Sequence, residues 1–294
     1  MTRFYHHQDM QIVSVTGEDA AAFLNDLLTA QIAKLDLQTA RMACLLSPQG
    51  RILFDMMVIR RSETESFLLT ESAQAEALAK RLTLYRLRRK LEISLRTDFL
   101  AGHIIADDKL ASQLVDNHND KFWRDERHDQ LGYLCLLEEE EEAIASQLDI
   151  CDDADWQARR IAFGIPQTAT DLTPNRALML EAGLDSLHAV DFKKGCYIGQ
   201  EVTARTHYRG LVKRRILPVH AKTALLETGQ IIRWQDKDIG TILSVSHSQQ
   251  TALASIRLDA VKDNTEDTPL MIGENSISLD IPDWMKPLPG FDDS

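Results

Sequence analysis

Asp191-Phe192-Lys193-Lys194-Gly195-Cys196-Tyr197-Ile198-Gly199-Gln200-Glu201 is the stretch of this chain that departs from ordinary globular texture, and it continues as Val202-Thr203-Ala204-Arg205-Thr206-His207-Tyr208-Arg209-Gly210. Glycines on either side of Cys196 and Tyr197 let the backbone approach another group closely while a turn presents the thiol. Lys193, Lys194, Arg205, Arg209, Lys213, Arg214 and Arg215 are opposed along this stretch only by Asp191 and Glu201. Cationic neighbours favour the thiolate, the form that attacks or ligates. A small buried hydrophobe is the other reading of the same cysteine.

The chain around this window has 294 residues, which predicts two or more packed units. Its 44% apolar and 27% charged residues are globular proportions. Lys and Arg number 33 against 45 Asp and Glu, a net charge of -12, which argues against a protein whose whole surface coats DNA or anionic membrane, so any anion site must be local. No run approaches the ~18 apolar residues of a membrane span. The start, Met1-Thr2-Arg3-Phe4-Tyr5-His6-His7, lacks the apolar stretch of a secretory signal, and the expected location is cytoplasmic. Cys44, Cys135, Cys151 and Cys196 are widely spaced with no C-x-x-C pair, which suits neither a disulfide framework nor a four-thiolate metal site. A functional thiol would act alone.

Residues 11–15 alternate like a strand, and Thr16-Gly17-Glu18-Asp19 supplies a hydroxyl with an acid three positions on, an N-cap signal for a helix that buries Ala21, Phe23, Leu24, Leu27, Leu28 and Ile32. Strand-like runs at 41–46 and 52–60 flank Ser47-Pro48-Gln49-Gly50, a hairpin signal. A third strand at 66–70 leads to a helix over 73–87. Residues 91–151 read as short strands and polar loops, with the acidic run 138–142 opening a helix. A further helix over 156–163 stops at Gly164-Ile165-Pro166. Beyond Val212, short β-prone stretches broken by polar turns predict a small antiparallel barrel or sandwich. The expected division is an α+β region over 1–211, as two interleaved lobes split near 90–150, a barrel over 212–286, and a tail over 287–294 that follows an extended strap.

Lys194-Gly195-Cys196-Tyr197-Ile198-Gly199-Gln200-Glu201 matches the K-G-C-[FY]-x-G-Q-E signature of the YgfZ family without a mismatch, and the chain resembles that family of folate-binding relatives of the glycine cleavage T-protein. Residues 15–28 are similar to its opening V-x-G-x-D-A-x-x-F-L-x-x-L, residues 46–55 to its P-x-G-R hairpin, and Leu180-Glu181-Ala182-Gly183 to the L-E-A-G element of T-proteins. The segments 240–244 and 253–257 look like its barrel strands. The resemblance implies an α+β fold, a T-protein-like ring of domains around a central folate channel, with a C-terminal antiparallel β-barrel. It implies tetrahydrofolate or a derivative as cofactor, with Glu181 meeting the pterin and Lys194, Tyr197, Gln200 and Arg205 as further binding residues. A carboxylate can accept two parallel N–H donors from an aminopyrimidine edge, which is a physical reason for Glu181 apart from the family. Cys196 would be the functional thiol, ligating iron or exchanging thiols; one cysteine cannot hold a cluster by itself, and no metal site is read in the chain.

The implied activity is that of an accessory factor for the assembly or repair of iron-sulfur proteins, including cluster-dependent tRNA modification enzymes, and its partners would be folate and iron-sulfur proteins or their assembly machinery. Monomer is the expected state. A folate-dependent aminomethyl transferase is the alternative, but T-proteins resemble G-G-I-x-D-D at the hairpin, where this chain has Gly50-Arg51-Ile52-Leu53-Phe54-Asp55. Phe54 cannot relay a proton, and strand alternation sends Asp55 to the opposite face. Direct tRNA binding is a third reading, prompted by the window and by Lys80, Arg81, Arg86, Arg88, Arg89, Lys90 and Arg96. Those cations read equally as a solvated face or as walls that attract the glutamate tail of folate. His6 and His7 are expected to be exposed, His103, His118 and His128 show no metal spacing, and the four tryptophans are expected as core or strap anchors.

Overall fold

The structure is a computed structural model that describes residues 2–105, 118, 120–138, 145, 148–262 and 268–291. The chain divides into two units, each discontinuous in sequence: Met1–Pro48, Leu53–Asp152 and Leu187–Gln200 form the first, and Gln49–Ile52, Asp153–Ser186 and Glu201–Ser294 the second.

The first unit is built on strands β1 (Arg3–His6), β2 (Met10–Thr16), β3 (Thr39–Leu46), β4 (Ile52–Arg60), β5 (Glu65–Glu71), β6 (Glu92–Arg96), β7 (Leu100–Ile105), β8 (Phe122–Asp125), β9 (Tyr133–Leu137) and β10 (Asp149–Ile150). They make a ten-stranded sheet in the order β10-β1-β7-β9-β8-β3-β4-β5-β2-β6. Helix α1 (Ala20–Leu27) buries Ala20, Phe23, Leu24 and Leu27, one stripe at helical spacing, into a core with Val13, Val15, Leu45 and Met56. Helix α2 (Ser72–Arg86) adds Ala75, Leu78 and Leu82 to that core. A smaller cluster of Phe4, Ile104, Phe122, Cys135, Leu137 and Leu148 lies under the other strands.

The N-cap signal at 16–19 resolves differently from its sequence reading. Thr16 closes β2, and the Asp19 side chain makes no cap bond; its carboxylate accepts the Lys90 backbone N–H at 2.7 Å. Gly17 has φ 131°, and a Cβ there would lie 2.3 Å from the Lys90 carbonyl oxygen, so the bend before α1 requires glycine. Within the acidic run, Glu138 follows β9 and residues 139–142 lie outside the described residues.

The second unit carries α3 (Asp153–Ala162), α4 (Thr168–Asp171) and a closed barrel. Its strands are β11 (Arg214–Ala221), β12 (Ile231–Trp234), β13 (Lys237–Val245), β14 (Thr251–Arg257), β15 (Leu270–Ile272) and β16 (Asn275–Leu279), in the order β11-β14-β13-β12-β15-β16. Leu217, Val219, Ile232, Ile242, Ala254, Ile256 and Leu270 fill the barrel core. Acids in the first turn of α3 and Arg159 and Arg160 in its last turn complement the helix dipole. Arg160 donates to Asp171 at 2.7 Å, a pair buried on both sides. The expected strap is tied to the end of α3: Trp284 Nε1 donates to the Phe163 carbonyl at 2.9 Å, and Met285 and Leu288 are buried.

Candidate functional site

The loop that holds Cys196 is anchored before it is exposed. Thr29, just past α1, donates its hydroxyl to the Ala189 carbonyl at 2.6 Å, accepts the Cys44 N–H at 2.8 Å, and offers its own carbonyl to the Asp191 N–H at 3.0 Å. The Asp191 carboxylate then accepts the backbone N–H groups of Lys193 and Lys194 at 2.7 and 3.2 Å, closing a turn. Lys194 folds back: its Nζ donates to the carbonyls of Asn25, Leu28 and Ala30 at 2.5, 2.5 and 2.8 Å. These carbonyls lie at and beyond the C-terminal end of α1, where carbonyls lack helical partners and the dipole is negative. Burial pushes the Lys194 amine down to about 8, against the upward pull of Asp191 and Asp26. Three acceptors match the three donors of an ammonium, so the side chain is a buried cation that caps α1 and has no donor left for a ligand.

Beyond that anchor Gly195 and Cys196 are exposed, and Tyr197 turns inward again. A Cβ at Gly195 would meet nothing within 4 Å, so the side of the loop next to the thiol is open. Cys44, Cys135 and Cys151 are all buried. Burial drives the Cys44 thiol well up, with Asp55 adding to it, and burial raises Cys135 as well. Tyr197 lies with its ring centroid 5.3 Å from Lys194 Nζ. Its hydroxyl is buried with no hydrogen-bond partner among the described residues, and burial, with Cys44 and Asp191, pushes it up to about 12. Gln200, the first residue of α5 (Gln200–Tyr208), reaches back to the Gly195 carbonyl at 3.5 Å. Lys194, Cys196 and Tyr197 are therefore parts of one loop in the first unit, and Gln200 begins the helix that follows it.

Glu181 and Arg205 belong to the second unit. The L-E-A-G element is held there by Arg215, a buried side chain that donates to the Leu180 carbonyl at 2.7 Å, Asp185 at 3.1 Å and the Ser186 hydroxyl at 3.0 Å. Gly183 has φ 79°, and a Cβ on it would come within 3.3 Å of the Arg215 guanidinium. Glu181 is only half-buried. Burial raises its pKa, while Arg214 and Arg51 pull it down. Arg51 donates to the Arg176 carbonyl and pairs in a bridge with Leu178, which brings the hairpin tip to this element. Arg205 is exposed on α5, and Arg214 donates to the Ser255 hydroxyl and carbonyl at 3.1 and 3.0 Å.

The cations of the window thus differ in what they hold. Lys194 and Arg215 grip backbone, and Arg214 grips a barrel strand. Arg51 and Arg215 adjoin the L-E-A-G element, a placement that sequence reasoning missed. The R of the hairpin motif was a signal for Arg51, whereas Arg215 was lost among neighbouring cations. The expectation of an exposed His7 is also corrected. Its ring is half-buried and bonds His103 at 2.6 Å; His103 in turn bonds Asp125 at 2.9 Å, and Arg127 grips the same carboxylate at 2.6 Å. Phe54 packs against the α1 core, and Asp55 is buried. Trp123, Trp234 and Trp284 each donate to a backbone carbonyl, as anchors do. Among the described residues no three His, Cys, Asp or Glu side chains converge as a metal set, and no helix is long and apolar enough to cross a membrane.

Residues 4–102 match the family model of the GCVT N-terminal domain, and residues 213–287 that of the CAF17 C-terminal beta-barrel domain. The chain is 30% identical over 306 residues to the mitochondrial iron-sulfur cluster assembly factor IBA57 of Mus musculus, covering 93% of this chain and 82% of that protein. It is 35% identical over 214 residues to the mitochondrial IBA57 homolog of Pyricularia oryzae, covering 71% of this chain but only 54%, about half, of the fungal protein. The structure of the glycine cleavage system aminomethyltransferase T from Bartonella henselae superposes with a TM-score of 0.77 at 17% identity, over 95% of this chain and 84% of that one. The fold is therefore T-protein-like, α+β, with a C-terminal closed barrel of six antiparallel strands. The expected cytoplasmic location is corrected by the relatives, which are named as mitochondrial proteins. That expectation rested on the lack of an apolar leader, and mitochondrial targeting sequences are amphipathic and basic instead.

Proposed function

This chain belongs to the family of the iron-sulfur cluster assembly factor IBA57, and on that basis we propose that it is a tetrahydrofolate-binding accessory factor in the assembly or repair of iron-sulfur proteins. The observation that carries the proposal is the contrast among the cysteines: Cys196 is exposed on an anchored loop, and the other three are buried. A single thiolate cannot hold a cluster, so Cys196 supplies one ligand or one exchanging thiol, and a partner protein or a small thiol supplies the rest. The YgfZ-like motif supports clients that include cluster-dependent tRNA-modifying enzymes.

One feature suits a reduced folate: Glu181, in the second unit, is a partly desolvated acceptor for the paired N–H groups of a pterin. Arg205, in the same unit, is an exposed cation for the glutamate tail. Tyr197, whose buried hydroxyl has no partner among the described residues, and Gln200 enter the proposal from the motif alone. Lys194 acts through the loop it anchors. Aminomethyl transfer is disfavoured because the position of the hairpin acid is Phe54, packed in apolar surroundings. Direct tRNA binding is disfavoured because four of the seven cations that prompted it, Lys80, Arg89, Lys90 and Arg96, are paired with Glu76, Asp26, Glu18 and Asp98.

The test pairs two variants. Calorimetry with tetrahydrofolate is expected to show binding to wild type and to Cys196→Ala alike, with Glu181→Gln at least tenfold weaker. Cells that lack the native protein should regain iron-sulfur enzyme activity with wild type and not with Cys196→Ala. Full rescue by Cys196→Ala would refute the thiol role, and equal folate affinity for Glu181→Gln would remove that residue from the site.

A further inference from the structure

Helix α2 buries Ala75, Leu78 and Leu82 and turns Lys80, Arg81 and Leu84 to solvent, and Leu87 and Arg88 follow in an exposed turn beyond its last residue, Arg86. The two leucines, Leu84 and Leu87, are 72% and 84% exposed. Leu87 ends the helix with φ 50° and ψ -114°, a backbone region that suits glycine and strains a leucine. Its side chain is nevertheless directed to water, so packing does not account for the residue. From 80 to 90 the sequence holds no acid. Lys80, Arg89 and Lys90 are paired with acids, whereas among the described residues Arg81, Arg86 and Arg88 take part in no ion pair. A strongly acidic chain thus carries, at one helix end, two exposed leucines set among free arginines.

We propose that the C-terminal end of α2 is a docking surface for an acidic protein segment that presents apolar side chains. The charge selects the partner: a local positive patch on a molecule of net charge -12 attracts an anionic surface and repels little else. The leucines select its kind. Phosphates offer them nothing to bury against, and a membrane-seeking face needs a broad apolar stripe with aromatic residues, which this helix lacks. Exposed apolar side chains offer a protein partner area to bury, and arginine beside them is a cation enriched at protein interfaces. Neither Cys196 nor Glu181 contributes to this surface, so it stands or falls apart from the folate and thiol assignments.

The probe is a fluorescent synthetic helix with glutamates on one side and leucines on the other, titrated by anisotropy into the full chain. Wild type is expected to bind it, with affinity that falls as salt rises. Arg81→Glu with Arg88→Glu, and separately Leu84→Ser with Leu87→Ser, should each weaken binding at least tenfold while leaving the circular dichroism unchanged. Leu87→Gly should raise the melting temperature yet weaken the peptide, an opposite pair of effects that a purely structural leucine would not give. Affinities within twofold of wild type in both double variants overturn the proposal. So does equal binding of a leucine-free acidic peptide, tighter binding of phosphatidylserine vesicles or an RNA duplex, or dimerisation of the chain that the leucine variant abolishes.

Discussion

Lys194→Met tests whether the loop of Cys196 is held by one buried cation. Methionine keeps the length and apolar stem of lysine and deletes the three donors that reach Asn25, Leu28 and Ala30. The bonds to Leu28 and Ala30 are fully buried, and that to Asn25 is partly so. Water can therefore replace the donor at Asn25, while the other two carbonyls lose their partner inside the protein. An orphaned buried acceptor costs ~1–3 kcal/mol, so the pair costs about 4 kcal/mol. Removing a desolvated ammonium returns part of this, since burial of the charge is itself unfavourable and pushes the amine down to about 8. The net expectation is a loss of ~3 kcal/mol.

Urea unfolding with unchanged m-value measures that loss as a lower midpoint. Lys193→Met, one residue away and exposed, is the control and should stay within ~0.5 kcal/mol of wild type. Release of the anchor should also unseat Tyr197, visible as increased phenol exposure in its ultraviolet difference spectrum. A loss below ~1 kcal/mol with Tyr197 still buried would refute the reasoning, because the carbonyls would then have other means of satisfaction.

Limiting alkylation at neutral pH should label Cys196 first, with Cys44, Cys135 and Cys151 reacting only on unfolding; mass spectrometry of the labelled peptides reads the order. Stability should fall as pH drops below ~6.5, because burial keeps His7 and His103 depressed in the folded state while their unfolded forms protonate. His103→Gln should flatten that slope in a pH series of urea melts, and an unchanged slope would place the titration elsewhere. Arg160→Ala strands the buried Asp171 carboxylate and should cost ~3–5 kcal/mol in the same assay, whereas a loss under ~1 kcal/mol would mean that the pair is solvated.

Much of the fold was legible because its signals are local. The stripe of Phe23, Leu24 and Leu27, the turn between β3 and β4, and the short alternating strands of the barrel can each be read within a few residues, and each reappears in the structure. Strand β1 was missed. Arg3-Phe4-Tyr5-His6 has only four residues, and its pairing is with β7 and β10, about a hundred or more positions away. The N-cap at 16–19 failed for a related reason. Asp19 has the right type and spacing for a capping box, but Lys90 presents a backbone N–H that competes for it, and no pattern within one helix reveals a partner 71 residues distant.

The same distinction governs the site. The side chains of the motif announced themselves by type: a cysteine between glycines, cations around it, an acid in L-E-A-G. What those cations do depends on backbone groups that a motif cannot display. Lys194 binds carbonyls 164 to 169 residues upstream, and Arg215 closes on a loop 29 to 35 residues before it. Taken as charge alone, both residues tune a thiol or attract an anion; placed in the fold, both hold main chain. The consequence reaches the chemistry of Cys196. A loop tied down by Lys194, Asp191 and Thr29 presents its thiol at a fixed place with open space beside Gly195, so a second protein can bring ligands to it without rearranging the fold. The role proposed for Cys196 needs that geometry: one ligand or one exchanging thiol from this chain, the remainder from a partner.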